Sequence, residues 1–144
     1  MLAYNFFTDD EKKKIAEAIR AAELDTSGEV RVHVEGHCKE DALDCAAYWF
    51  GKLGMHKTEL RNGVLFYLAV NDHKFAILGD AGINSKVPED FWEKIKDHMR
   101  AKFKEGLFAD GLAEGILMAG EQLKAHFPYQ KNDQNELSDD LSFG

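Results

Sequence analysis

Val64-Leu65-Phe66-Tyr67-Leu68-Ala69-Val70 is the longest uninterrupted apolar run in the chain, and its reading decides the fold. The run has strand length and is rich in β-branched and aromatic residues. A strand that is apolar on both faces belongs at the centre of a sheet covered by helices on both sides. The same run is far shorter than the roughly 20 apolar residues a helix needs to cross a bilayer, so no transmembrane segment is expected. Asn71-Asp72-His73 follows as a tight turn, and Phe75 to Leu78 reads as the returning arm of a hairpin.

Upstream, Glu29 to Glu35 alternates strictly. Val30, Val32 and Val34 face one way, and Glu29, Arg31, His33 and Glu35 the other. This pattern predicts a strand at a sheet edge or with one wet side. A first helix starts at Thr8, which has Glu11 at the capping-box spacing. Its stripe is Ile15, Ile19 and Ala22, and Asp25-Thr26-Ser27-Gly28 ends it. A second helix is expected from about Lys39 to Leu53, with Ala42, Ala46, Trp49 and Phe50 on its buried face and Gly54 as its stop.

Downstream of a loop from Gly79 to Asn84, Pro88 suits a first helical position, and Phe91, Trp92, Ile95, Met99 and Phe103 form a buried stripe. Leu107 to Asp110 reads as a break, and a last helix runs from about Gly111 to His126 until Pro128. Residues 130–144 are polar and acidic without periodicity, which predicts a disordered tail behind a single domain of residues 1–129. The strand–helix–strand unit implies a parallel pair with a right-handed crossover, and the hairpin adds an antiparallel neighbour. The expected architecture is a three-layer αβα sandwich around a small mixed parallel and antiparallel sheet.

The 144 residues include 18 basic and 26 acidic side chains, a net charge of −8. That balance argues against nucleic acid or an anionic membrane as the main partner, and leaves divalent cations and basic partners open. Cys38 and Cys45 are too few for a disulfide scaffold and are expected as free thiols sharing a helix face. Met1 to Asp10 has neither a basic start nor an apolar core, so the expectation is a reduced, cytoplasmic protein, monomeric in solution. His33, His37, Cys38 and Cys45 could suggest zinc, but no CxxC or HExxH spacing supports it; isolated histidines and core thiols are the expected reading.

The topology brings chemistry to one rim. If the first and central strands are parallel and the hairpin returns, Gly79-Asp80 must lie beside the start of the first strand. Two oxygen-rich turns meet there, Asp25 to Glu29 and Asp80 to Asn84. Hard cations take six to eight oxygens from such flexible turns. The expected metal ligands are Asp25, Glu29, Asp80 and Asn84, with Asp110 as an additional one, and Ca²⁺ or Mg²⁺ as the ion. Each residue also has an ordinary role to play: a helix end, a strand-edge charge, a self-bonded turn or a helix cap.

No activated nucleophile accompanies them. A cysteine phosphatase loop needs Arg six positions after Cys; Asp44 and Gly51 stand there instead. No serine elbow or Walker loop occurs, and Arg61 and Lys86 read as solvated, so any hydrolysis would be metal-assisted.

Gly28-Glu29-Val30, Asn62-Gly63-Val64-Leu65, Asn71-Asp72-His73-Lys74, Gly79 to Ile83 and Phe103 to Gly111, taken in order, resemble the marks of the TPM domain. This family is named for a thylakoid lumen protein, a photosystem repair factor and a nematode receptor modulator. The resemblance spans about Phe6 to Phe127. It implies an αβα sandwich and, in several members, a divalent metal, often calcium. Some plant members are acid phosphatases; others act in membrane-protein repair or as accessory modulators. This chain resembles a stand-alone bacterial-type member, without the secretion signal and anchor many members carry. Its loop reads GDAGIN, with Asp80 and Asn84 where many members have an aromatic residue and an acid, and His73 stands where Arg is common. The expected function is a metal-responsive binding or regulatory module for a protein partner, and the alternative a metal-dependent acid phosphatase acting on phosphomonoesters. A plain interaction domain without an ion is the third possibility.

Overall fold

The computed structural model describes residues 2–129 and 141–144. Helix α1 (Asp9–Glu23) opens with the predicted capping box: Glu11 N–H donates to Thr8 Oγ1 at 3.1 Å, and Thr8 N–H donates to the Glu11 carboxylate at 2.9 Å. Strand β1 (Glu29–Glu35), helix α2 (Ala42–Lys52), strand β2 (Gly63–Ala69) and strand β3 (Lys74–Gly79) follow. Then come a short helix α3 (Ala81–Asn84), α4 (Phe91–Lys104), α5 (Phe108–His126) and a last strand β4 (Leu141–Phe143).

The sheet order is β3-β2-β1-β4. β1 and β2 are parallel, from Glu29 opposite Gly63 to Glu35 opposite Ala69, and β2 and β3 are antiparallel, with Val64 opposite Gly79. Every residue of β2 is buried, as its two-sided apolarity requires. One face of the sheet (Val30, Val32, Val34, Val64, Phe66, Leu68 and Ile77) packs on α1, α4 and α5 through Ile15, Ile19, Ile95, Met99, Leu112 and Ile116. The opposite face (Leu65, Tyr67, Ala69 and Ala76) is covered by α2 and the turn after it, through Cys45, Ala46, Phe50 and Met55. This is the expected αβα sandwich with a mixed sheet.

The break expected at Leu107 to Asp110 is helical from Phe108, and three further expectations fail. β1 is interior, and two of the four residues on its polar side are buried, Glu29 at 3% and His33 at 1% exposure, while Arg31 and Glu35 are half-buried. The alternation is real, but Trp49 of α2 stacks on His33 and donates to Glu35 on that side, and β4 occupies the outer edge. Secondly, Leu141–Phe143 is a strand and not part of a disordered tail. Leu141 and Phe143, the apolar pair in a polar stretch, pack against the core from β4, which runs parallel to β1 with Val32 opposite Leu141. A three-residue element is too short to show periodicity; residues 130–140 lie outside the described part. Thirdly, Cys38 and Cys45 are disulfide-bonded and not free thiols. α2 starts only at Ala42, so Cys38 sits on the preceding loop, which folds back to bring the two Cα atoms within 6.3 Å.

Candidate functional site

The starts of β1 and β2 and the end of β3 share one rim. Asp80 N–H donates to Gly63 O at 2.9 Å, and Glu29 N–H to Asn62 O at 3.4 Å. The turn before β1 is fixed to the end of α5. Thr26 Oγ1 donates to Leu123 O at 2.9 Å and also meets Phe127 O, and Ser27 N–H donates to Phe127 O at 3.0 Å. Asn62 lies 1% exposed in this rim. Its backbone N–H donates to Thr58 Oγ1 at 3.2 Å, and its Nδ2 donates to Ser27 Oγ at 3.3 Å. Its side-chain oxygen has no hydrogen-bond partner among the described residues.

Asp80 sits across β2 from Glu29. Arg61 grips its carboxylate with two bonds, Nε to Oδ2 at 2.7 Å and Nη2 to Oδ1 at 2.8 Å. Oδ1 also accepts from Ala81 N–H at 2.8 Å, capping α3. The pairing raises the Arg61 pKa further above its ordinary value. The Arg61 side chain stays half exposed (52%), whereas that of Asp80 is buried. Gly82 allows this arrangement, because a Cβ there would lie 2.0 Å from Leu60 O and 2.5 Å from Arg61 O. α3 can therefore rest directly on the backbone that carries Arg61.

The five expected ligands divide. Glu29 and Asp80 share the rim, as the topology predicted. Asn84 is nearby, but its amide is spent on architecture: Nδ2 donates to Gly79 O at 2.8 Å and Oδ1 accepts from Trp92 Nε1 at 2.7 Å. Asp25 occupies a left-handed position (φ 64°), is exposed, and its backbone carbonyl accepts from Tyr129 N–H at 2.9 Å. Asp110 is at the other end of the molecule. α5 runs beside α1 in the same direction, with Asp110 paired to Lys14, Gly120 against Ala22, and Leu123 against Thr26. At 1.5 Å per residue, Asp110 is about 25 Å from the rim. The Lys14 ammonium holds its carboxyl below the usual range. Sequence reasoning placed Ser27 in a rim turn without choosing it as a ligand, and missed Asn62. Asn62-Gly63 stands out only as a turn-like pair before the central strand.

A second polar group lies under α2. Glu35 Oε2 accepts from Trp49 Nε1 at 3.0 Å and from the Tyr67 hydroxyl. Burial, then the Glu35 carboxylate, raises the Tyr67 pKa. His33 stacks on Trp49 with centroids 3.9 Å apart, and its Nδ1 lies 2.7 Å from Ser142 Oγ. Cys38, Glu40 and Cys45 come close enough together to suggest a metal triad, but the disulfide removes both thiolates as ligands. His37 is elsewhere engaged, with Nδ1 3.0 Å from Asp72 Oδ1. That contact and the Cys38 N–H bond hold the Asp72 carboxyl below its ordinary range. The zinc grouping of His33, His37, Cys38 and Cys45 has no geometric basis here.

The fold is a mixed-sheet αβα domain with a polar rim at the amino ends of its parallel strands. The chain belongs to the TPM domain family, whose profile matches residues 3–122. Among solved structures it is similar to the BA42 protein of the psychrophilic bacterium Bizionia argentinensis, at 46% identity over 97% of both chains with a TM-score of 0.89. It shares its fold with the N-terminal domain of a protein from P. gingivalis, at 20% identity over 88% of this chain and 83% of that one, TM-score 0.64. The N-terminal domain of the cg2496 protein from Corynebacterium glutamicum has the same fold at 9% identity, over 94% and 80% of the two chains, TM-score 0.64. No curated protein matches the chain. None of its helices, among the described residues, is long and apolar enough to cross a membrane.

Proposed function

We propose that the rim binds a hard divalent cation, Ca²⁺ before Mg²⁺, and that the domain is a metal-responsive binding module for a protein partner. The supporting observation is the Asn62 side-chain oxygen, buried and without a hydrogen-bond partner among the described residues. An unmet buried acceptor costs about 1–3 kcal/mol. A cation at that oxygen removes the penalty. Ser27, Glu29 and Asp80 offer hydroxyl and carboxylate oxygens at the same rim, the donor set hard cations favour. Asp25, Asn84 and Asp110 fall outside this set. When bound, the ion supplies a cross-link between the turn before β1 and the end of β3. Arg61 tempers the charge of Asp80, so affinity depends on how far the guanidinium yields.

The half-exposed Arg61 guanidinium is also the group that would favour the second reading, a metal-dependent phosphatase, since it can hold a phosphoryl oxygen. Isothermal titration of the protein with Ca²⁺ tests the first reading. Saturable binding is expected, weakened at least tenfold in Asn62→Ala and in Ser27→Ala. No binding by the folded wild-type protein refutes it. Turnover of a phosphomonoester that needs added metal and vanishes in Asp80→Ala would move the assignment to the enzyme.

A further inference from the structure

The opposite rim, where β1 and β2 end, carries a different feature. A cleft of about 350 Å³ opens between the β2–β3 hairpin, the last turns of α4 and the start of α5. Its walls are four half-buried phenylalanines. Phe75 packs on Phe103 at 5.0 Å between centroids, and Phe103 on Phe108 at 5.3 Å; Phe108 meets Phe6 at 5.3 Å. The floor is the end of β2, Leu68 to Val70.

The mouth is basic. His73, Lys74, Arg100 and Lys104 line the cleft, and no carboxylate does so among the described residues. The protein as a whole carries −8 with histidines neutral, so the three charges of Lys74, Arg100 and Lys104 gathered here run against its average. Two of these side chains are held in position by their neighbours. Lys74 Nζ donates to two neutral acceptors, Cys38 O at 2.8 Å and Glu40 O at 3.0 Å. Arg100 Cζ lies 5.6 Å from the Phe75 ring centroid, and only its Nη1 bonds a carboxylate, that of Asp97, which is 71% exposed. Ligands of α/β sheets bind at the carboxyl ends of parallel strands. Small-molecule sites are mostly apolar clefts of this size with a few placed polar groups. An aromatic interior excludes a small hydrated anion such as phosphate, and a basic mouth disfavours a neutral lipid.

We propose that this cleft is a binding site for a small free amphipathic anion, an alkyl or aryl body with one acidic head group, whose body enters between Phe75, Phe103 and Phe108 and whose head pairs with Arg100 and Lys104. The site is separate from the cation rim and does not rest on it.

Decanoate, below its micelle concentration, is the probe. Titrated into ¹⁵N-labelled protein, it should give saturable amide shifts confined to Phe6 and its neighbours and to residues 68–75 and 100–108. Decanol should bind at least tenfold more weakly. Arg100→Gln and Lys104→Gln, both at exposed or partly exposed positions, should each weaken decanoate several-fold, and together at least tenfold, with far-UV circular dichroism unchanged. The proposal is overturned if the shifts do not saturate, if they fall elsewhere, if decanoate and decanol bind equally, or if the double variant binds like wild type. It is overturned too if the same amides respond to phosphatidylglycerol vesicles and not to decanoate, which would make the surface a membrane contact.

Discussion

Acidification from pH 7 to pH 5 should weaken this protein, and His33 makes a contribution that can be isolated. The ring is 1% exposed, and its Nε2 has no hydrogen-bond partner among the described residues. A proton added there would be a buried charge with nothing to accept from it. Burial, helped by the nearby Arg31 charge, lowers the pKa from 6.5 to about 4. The folded pKa is the lower one, so between these values the unfolded chain binds the extra proton and stability falls with pH. Over the full window the loss is about 3 kcal/mol, and between pH 7 and 5 it is about 2 kcal/mol. Urea unfolding at pH 7, 6 and 5 measures it, with His33→Phe as the reference, since Phe can stack on Trp49 but cannot titrate. Carboxylates contribute equally to both proteins, so the difference isolates the imidazole. Wild type should lose about 2 kcal/mol more than His33→Phe across that interval. Parallel pH profiles would show that His33 is not buried as a neutral ring, and the account of the α2 face would be wrong.

Three further perturbations have defined outcomes. Gly82→Ala puts a methyl on the Leu60 and Arg61 carbonyls, so α3 must shift; a stability loss of about 1–3 kcal/mol, read in a thermal melt, is expected, together with weakening of the Ca²⁺ binding proposed at the rim. Tyr67→Phe removes one of the donors to Glu35 and should lower stability by about 1–3 kcal/mol at pH 7; no change would show that Glu35 is satisfied by water. Cys45→Ser opens the short loop closed by the disulfide and should lower stability by about 2 kcal/mol, while a thiol reagent should find no reactive thiol in the unreduced wild-type protein.

Much of the architecture was legible locally. The capping box at Thr8 and Glu11 satisfies its own backbone donors, so four residues suffice to read it. The alternation from Glu29 to Glu35 correctly assigned Val30, Val32 and Val34 to the main core, because side chains on a strand must alternate. The meeting of Glu29 and Asp80 followed from strand directions alone. The same logic could not place Asp110. Its helix was evident, but the direction of α5 beside α1 is set by packing such as Gly120 on Ala22, which no local pattern encodes. The pairing of Asp80 with Arg61 was hidden because it depends on a left-handed Arg61 (φ 52°) and on contact between a helix and a distant loop.

The sequence by itself determined the order of the elements, the centrality of β2 and the rim where two polar turns converge, since periodicity and chain reversal are local properties. Long-range packing set Trp49 of α2 on His33, paired Leu141–Phe143 with β1 at the sheet edge, and brought Cys38 to Cys45. It also decided which oxygen at the rim is left unsatisfied, namely that of Asn62. Burial and hydrogen-bond satisfaction are sums over neighbours distant in the chain, and a residue's own sequence context does not contain them.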